Sequence, residues 1–372
     1  MMSQLQVATT DGSARVGTLN TAHGSIETPV FMPVGTQGTV KAAVSRDLWN
    51  MGARIILGNA YHLYLRPGDG LIREMGGIQK FSGWDGAVLT DSGGYQIFSL
   101  NVLRKLKEEG VEFQSHIDGS RHFLTPERVV EIQENLGSDI CMCLDECVPF
   151  PSSHDYTRDS VGLTTRWARR CKAAKRKNQQ QLFGIVQGGT FEDLRRRSAE
   201  ELVELDFDGY ALGGFSVGEP KGLLWEMASL VTPILPVEKP RYLMGLGFPD
   251  DIVRGVSLGV DMFDCVIPTR HARNGNLFTS TGRLNIKHAQ FTRDSRPIDE
   301  SCQCYTCTHF SRAYLRHLFV SRELSVYILN TIHNIHFYMD LMRKIRESIR
   351  EHRFDTFRDQ FLSQWTGGEL DD

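Results

Sequence analysis

No run of apolar residues in this 372-residue chain approaches the length of a membrane-spanning helix, so no membrane partner is expected. The opening residues, MMSQLQVATTDG, lack the basic start and apolar stretch of an export signal. Eight cysteines without such a signal argue for a reducing compartment, where thiols pack or bind metal instead of forming disulfides. The expectation is a cytoplasmic protein. An excess of one charge sign is also missing: the net charge of −3 argues against a general nucleic-acid binder. There is no repeat of fixed period and no low-complexity tract. What is present is ordinary for a folded soluble protein, with 41% hydrophobic and 23% charged residues. The length allows a large core, and a parallel barrel of roughly 250 residues fits with room for insertions.

Eight short apolar runs carry most of the information. They are Val30–Val34, Ile55–Leu57, Ala87–Thr90, Ile140–Leu144, Leu182–Val186, Tyr210–Leu212, Tyr242–Met244 and Met262–Phe263. Continuous rather than alternating apolar runs suit strands buried on both faces. Most gaps between them carry a helical pattern, and eight strand–helix units are the content of an α/β fold of the (β/α)8 TIM-barrel type. Each run ends in a polar residue or a glycine. In such barrels the chemistry sits at the C-terminal strand ends, so Asp91, Asp145, Gln187, Gly214 and Asp264 are expected at one mouth.

Around this barrel, Asp11-Gly12 and His23-Gly24 mark turns of an N-terminal antiparallel ribbon placed at the barrel floor. The segment 111–124 reads as a hairpin inserted after the third strand, with a tight Asp118-Gly119 turn. Thr125-Pro126-Glu127 starts a helix, with Thr as cap and Pro in its first turn. Further helices are expected near residues 39–49, 164–178, 191–205, 222–230 and 250–258. The pattern changes after Gly275. The expected division is therefore a barrel with ribbon and hairpin over 1–275, a metal-binding subdomain over 276–345, and a C-terminal helix and tail over 346–372.

Cys302-x-Cys304-x2-Cys307 puts three thiols on a tight turn, which suits three corners of a tetrahedral zinc site. The fourth ligand is open among His309, His317, His333 and His336. A closed Cys3His site is structural, so Zn2+ is expected to hold the C-terminal subdomain together. Cys141 and Cys143, inside the fourth run, read as packed small residues. Charge is unevenly placed. Seven basic residues and no acidic one lie between Arg166 and Lys177, in a run that is either a solvated helix face or an RNA-facing one. Six basic residues, including Arg270 and Arg273, follow the eighth strand against Asp294 alone, where a phosphate backbone would find counter-charges.

Asp91 opens Asp91-Ser-Gly-Gly-Tyr-Gln96, whose glycines permit close approach and whose Tyr95 offers a stacking face. Two carboxylates, Asp91 and Asp264, facing one pocket could divide the roles of nucleophile and general acid/base at a sugar carbon. Asp145, Gln187 and the amides near Gly213-Gly214 suit the edge of a purine-like base. Gly245-x-Gly247 does not extend to a dinucleotide fingerprint, because Asp250 stands where the third glycine belongs.

Asp91-Ser-Gly-Gly-Tyr-Gln96, Val186-Gln-Gly-Gly189, Ala211-Leu-Gly-Gly-Phe-Ser-Val-Gly-Glu219, Met244-Gly-Leu-Gly247, Phe263-Asp-Cys-Val-Ile-Pro-Thr-Arg270 and the cysteine cluster together resemble the tRNA-guanine transglycosylases. The resemblance runs from about Thr28 to His336. It implies a barrel with a zinc subdomain, and a wobble guanine exchanged for a 7-deazaguanine in the anticodon loop of tRNAs with G-U-N anticodons. It implies Asp264 as nucleophile on the ribose carbon, giving a covalent RNA–enzyme intermediate, and Asp91 as general acid/base. Asp145, Gln187 and the Gly214 amide take the base-recognition roles, with Tyr95 and Met244 sandwiching the ring. His333 matches the fourth zinc ligand, and Arg270 and Arg273 match arginines near the anticodon loop. Cys147, Val217 and Glu219 resemble the bacterial pocket, which takes 7-aminomethyl-7-deazaguanine. With the sequence ending in Gly-Gly-Glu-Leu-Asp-Asp, the RNA-binding domain of archaeal members is not expected. Bacterial-type relatives imply a homodimer. Two other readings are a non-catalytic tRNA-binding subunit of a transglycosylase, against which both aspartates argue, and a barrel glycoside or nucleoside hydrolase.

Overall fold

In the computed structural model, which describes residues 5–100 and 104–365, the chain enters through three antiparallel strands, β1 (Gln6–Asp11), β2 (Ala14–Thr21) and β3 (Gly24–Thr28). The next three strands, β4 (Val30–Pro33), β5 (Ile55–Gly58) and β6 (Ala87–Thr90), begin the barrel. An antiparallel excursion follows: β7 (Arg104–Lys107), β8 (Gly110–Gln114) and β9 (Arg121–Leu124). The barrel resumes with β10 (Ile140–Met142), β11 (Gln181–Val186), β12 (Gly209–Leu212), β13 (Arg241–Leu243) and β14 (Met262–Cys265). All pairings among the eight are parallel, in the order β4-β14-β13-β12-β11-β10-β6-β5. The ring nearly closes between β4 and β5, where Gly35 N donates to Leu57 O at 2.7 Å. Each of the eight apolar runs overlaps one of these strands, with ends that differ by no more than two residues.

Both faces of the sheet are covered, which is why the runs are apolar without alternation. Met32, Leu57, Leu89, Met142, Ile185, Ala211 and Met262 fill the barrel interior, and Leu19 and Ile26 of the ribbon join the same cluster. Phe31, Ile56, Val88, Cys141, Leu182, Leu212 and Phe263 face the surrounding helices. The ribbon lies at the N-terminal strand ends. There His23 N donates to Asp139 Oδ1 at 3.1 Å, and Gln181 Nε2 donates to Asn20 O at 2.8 Å.

The β8–β9 hairpin turns through Asp118-Gly119, with Ser120 Oγ donating to Asp118 Oδ1 at 2.7 Å and Gly119 at φ +75°. Strand β7 was not anticipated, because its sequence RKLK is half exposed and carries no apolar signal. The helix Pro126–Leu136 begins as expected, with Thr125 Oγ1 accepting from Arg128 N at 3.2 Å. Two helices start elsewhere than expected. Ala42 sits at φ +57°, so the first barrel helix begins only at Ser45. The helix expected from residue 164 runs His154–Ala174, its polar first turn capped by Ser153 accepting from Tyr156 N at 3.3 Å.

After the barrel, β15 (Asn276–Thr279) and β16 (Gly282–Asn285) form a hairpin beside short helices. Leu277, Leu284, Ile286, Ile298, Leu315, Leu318, Val326 and Leu329 make a separate small core. The 27-residue helix Leu324–Arg350 belongs to both cores. Val326 and Leu329 enter the small one, and Ile335, Tyr338, Leu341 and Ile345 the barrel's. A boundary at residue 345, expected from sequence, therefore falls inside a continuous helix. The sequence shows no break there because the apolar stripe passes from one partner to the other without interruption. Tyr338 Oη donates to Gly247 O at 2.6 Å, tying this helix to the barrel mouth. The helix Phe354–Gln364 follows, and the tail expected beyond it lies outside the described residues. No helix among the described residues is long and apolar enough to cross a membrane.

Candidate active site

The side-chain alternation of a strand sets the first carboxylate. Phe263 and Cys265 face the helices, so Met262 and Asp264 share the inward face, Met262 in the core and Asp264 at the strand's outer end. Tyr242, inward on neighbouring β13, donates its hydroxyl to Asp264 Oδ1 at 2.6 Å, and Gly245 N donates to the same oxygen at 2.7 Å. Burial raises the Asp264 carboxyl above the usual aspartate range.

Asp91 follows β6. Its Oδ1 accepts from Ala60 N at 2.9 Å, and its Oδ2 from Gln96 Nε2 at 2.8 Å and from Asn59 Nδ2. Burial pushes this carboxyl up to about 6, with the Asp264 charge adding to the rise against those three donors. The two carboxylates therefore sense one another electrostatically.

Ser92 links this half of the site to the next. Its hydroxyl donates to Asp145 Oδ1 at 3.1 Å, while Gln187 Nε2 donates to Asp145 Oδ2 at 2.7 Å. Asp145, at 8% exposure, is also raised to about 6, chiefly by burial. Gln187 Oε1 is buried with no hydrogen-bond partner among the described residues. A Cβ on Gly214 would lie 2.3 Å from that oxygen, and Gly214 has φ +68°, so only glycine brings its backbone to this place. Gly94 serves the same end, since a Cβ there would meet Asp145 at 2.7 Å. Carboxylates and the donors that hold them thus converge from the ends of six strands, β5, β6, β10, β11, β13 and β14.

The remaining expected residues lie on the loops and helices that follow the barrel strands. Met244 lies at the end of β13, its Sδ 3.6 Å from where a Gly213 Cβ would be. Tyr95 is 49% exposed, in the first turn of the helix Gly94–Leu100. Cys147 is buried, and Val217 and Glu219 help line a small cleft with Gly214 and Thr157. Glu219 accepts from Ser216 N at 2.7 Å and Val217 N at 3.0 Å, which orders the loop after β12. Arg270 is exposed on the helix Ile267–Arg273, and Arg273 on the same helix donates to Thr269 O at 2.8 Å. The earlier basic run is largely occupied within the chain: Arg166 pairs with Glu108, Arg170 with Glu127 and Lys175 with Asp208.

Sequence reasoning missed three residues of this site. Asn59 and Tyr242 were not singled out as site residues, Tyr242 standing only as the first residue of an apolar run. A tyrosine buried inside a barrel must find a partner for its hydroxyl, which is the signal that was available. Arg195 stands among three consecutive arginines on a surface-facing helix, and nothing in sequence separates it from its neighbours.

At the other end of the molecule, Cys302, Cys304, Cys307 and His333 bring their ligand atoms within 4.8 Å of one another. The three sulfurs lie 3.7, 3.6 and 3.3 Å from His333 Nδ1. Tetrahedral zinc bonds to sulfur and nitrogen place those atoms about 3.5 Å apart, so the cluster fits Zn2+. His333 Nε2 donates to Phe278 O at 2.6 Å, which leaves Nδ1 facing the thiols. Of the four candidate histidines, the fold selects His333.

The sequence profile of the family described as queuine tRNA-ribosyltransferase matches residues 10–367. The chain belongs to this family. Relatives named queuine tRNA-ribosyltransferase include one from Solidesulfovibrio magneticus, 57% identical over 96% of this chain and 97% of its own length. One from Caldanaerobacter subterraneus subsp. tengcongensis is 59% identical over 95% of both chains. One from Nitratidesulfovibrio vulgaris is 57% identical over 96% of both. For a family member, the nearly closed barrel and the Cys3His cluster are the expected architecture, and both are present.

Proposed function

We propose that the chain is a tRNA-guanine transglycosylase of queuosine synthesis, exchanging the wobble guanine of G-U-N anticodons for 7-aminomethyl-7-deazaguanine. The observation that carries the mechanism is the pair of buried carboxyls, one of them raised to about 6. An Asp264 oxygen bonds to the ribose C1′ as the bond from C1′ to guanine N9 breaks, and the bonding pair leaves with the base. Tyr242 and the Gly245 amide hold the other Asp264 oxygen, aiming the free one at the sugar. Asp91 protonates the departing guanine. It then takes the N9 proton of the incoming base, whose attack on C1′ expels Asp264. A carboxyl with an affinity near neutrality suits both directions of transfer.

Asp145 accepts from the base's N1 and N2 donors, Gln187 and the Gly214 amide face its oxygen, and Tyr95 and Met244 cover its faces. Cys147, Val217 and Glu219 shape the aminomethyl end. Zn2+, bound by Cys302, Cys304, Cys307 and His333, holds the C-terminal subdomain together. Arg270 and Arg273 meet the anticodon loop, whose guanosine must be splayed out to enter. The proposal includes a cytoplasmic location and a homodimer, the latter supported by exposed Tyr314, Val320, Leu324 and Ile328 on one subdomain. The divisions at residues 275 and 345 are retained as functional units only, with the long helix shared.

Asp264→Asn should lower labelled-guanine incorporation into tRNA roughly a thousandfold or more, abolish a denaturation-resistant RNA adduct, and leave melting intact. An adduct that still forms on this variant removes Asp264 from the nucleophile's role. Guanine release from tRNA without incorporation by the unmodified protein would favour a hydrolase.

A further inference from the structure

Arg195 is fully buried on the helix Glu192–Glu204, and no carboxylate pairs with it among the described residues. Burial pulls its guanidinium from the usual value down to about 9. Its donors go to backbone carbonyls instead: Nε to Gly189 O at 2.8 Å, Nη1 to Val186 O at 3.1 Å and Gly213 O at 2.7 Å, and Nη2 to Gly214 O at 3.4 Å. The guanidinium also lies 4.1 Å from the Phe215 ring centroid. These carbonyls come from the two loops that carry Gln187 and Gly214.

Across a trans peptide the carbonyl and the next amide point in opposite directions. The 213–214 and 214–215 peptides are trans. With the carbonyls of Gly213 and Gly214 drawn onto Arg195, the amides of Gly214 and Phe215 must face away from it. Neither amide has a protein acceptor among the described residues. We propose that Arg195 is a positioning residue that fixes the direction of the Gly214 and Phe215 amides, so that donors, not carbonyls, face the base's carbonyl oxygen. This deepens the transglycosylase reading and rests on it. The planar five-donor fork is what the task requires, because lysine's compact ammonium cannot span carbonyls from two loops.

The test compares guanine with 2-aminopurine, which lacks the oxygen and the N1 proton, as competitive inhibitors of exchange by wild type, Arg195→Lys and Arg195→Met. The lost N1 contact to Asp145 weakens 2-aminopurine equally in all three. Loss of the amide orientation should cut the preference for guanine about tenfold in both variants, with 2-aminopurine affinity nearly unchanged. Folded variants in which both bases weaken equally, or neither changes, overturn the proposal. Should both variants fail to fold, a wild-type guanine complex decides. Gly214 N within hydrogen-bond distance of the base oxygen, with Gly213 O still on Arg195, supports the clamp, and a turned 213–214 peptide refutes it. Wild-type protein that exchanges no guanine at all would instead sink the transglycosylase reading.

Discussion

The barrel mouth and the Cys3His cluster are both buried polar constellations, yet they differ in which way their energy points. At the mouth, Asp91, Asp145 and Asp264 are held where desolvation outweighs the hydrogen bonds donated to them, and all three carboxyls are raised. The unpaired Gln187 oxygen adds to the cost. In the C-terminal subdomain the four donors converge on one point, and the histidine's second nitrogen is satisfied by Phe278 O. A metal there converts the cluster into a source of stability. The lesson is that buried polarity marks function where it is left incomplete and scaffolding where it is closed.

Removing zinc attacks the comparison at its largest expected effect. Structural zinc sites are worth on the order of 10 kcal/mol in small domains. Chelation or Cys304→Ser should therefore unfold the segment around β15 and β16 before the barrel. Hydrogen exchange should show those amides losing protection while β11 and β12 keep theirs. Unchanged melting and protection in metal-free protein would mean the cluster is not a structural site.

Asp145→Asn probes the opposite sign. A carboxyl raised from 3.8 to about 6 in the folded state favours folding below the lower value, and that contribution is lost as pH rises through the higher one. Asparagine escapes the loss. The variant should be about 3 kcal/mol more stable than wild type at pH 8 and nearly equal to it at pH 4, while binding guanine worse. Its new amide can donate to the unpaired Gln187 oxygen. Equal stability of the two proteins at both pH values in chemical denaturation would show that the mouth stores no such cost.

The smallest effect tests the joint between the regions. Tyr338→Phe keeps the ring but removes the hydrogen bond to Gly247 O, and should cost about 1 kcal/mol. If the long helix couples the two cores, the loss should appear in the barrel's melting as well as the subdomain's. A change confined to the subdomain would mean the shared helix transmits nothing.

The eight strands and the residues at their ends were legible in the chain itself, because a strand buried on both faces must be apolar and its last polar residue must lie at an open end. The cysteine spacing was legible for the same local reason: three thiols on one turn need no tertiary contact to be recognised. Other features came only with the fold. Spacing left four histidines as the fourth ligand, and His333 was decided by a helix returning from residue 324 to lay Nδ1 against the thiols. Strand β7 carries too little apolar surface to announce itself. The partners of Asp91 and Asp264 lie 32 and 22 residues away in sequence, and the barrel's closure makes Asn59 and Tyr242 into parts of the site. Arg195 is the clearest case. Among neighbouring arginines it is chemically identical, and only the packing of its helix against two glycine loops turns one of them inward.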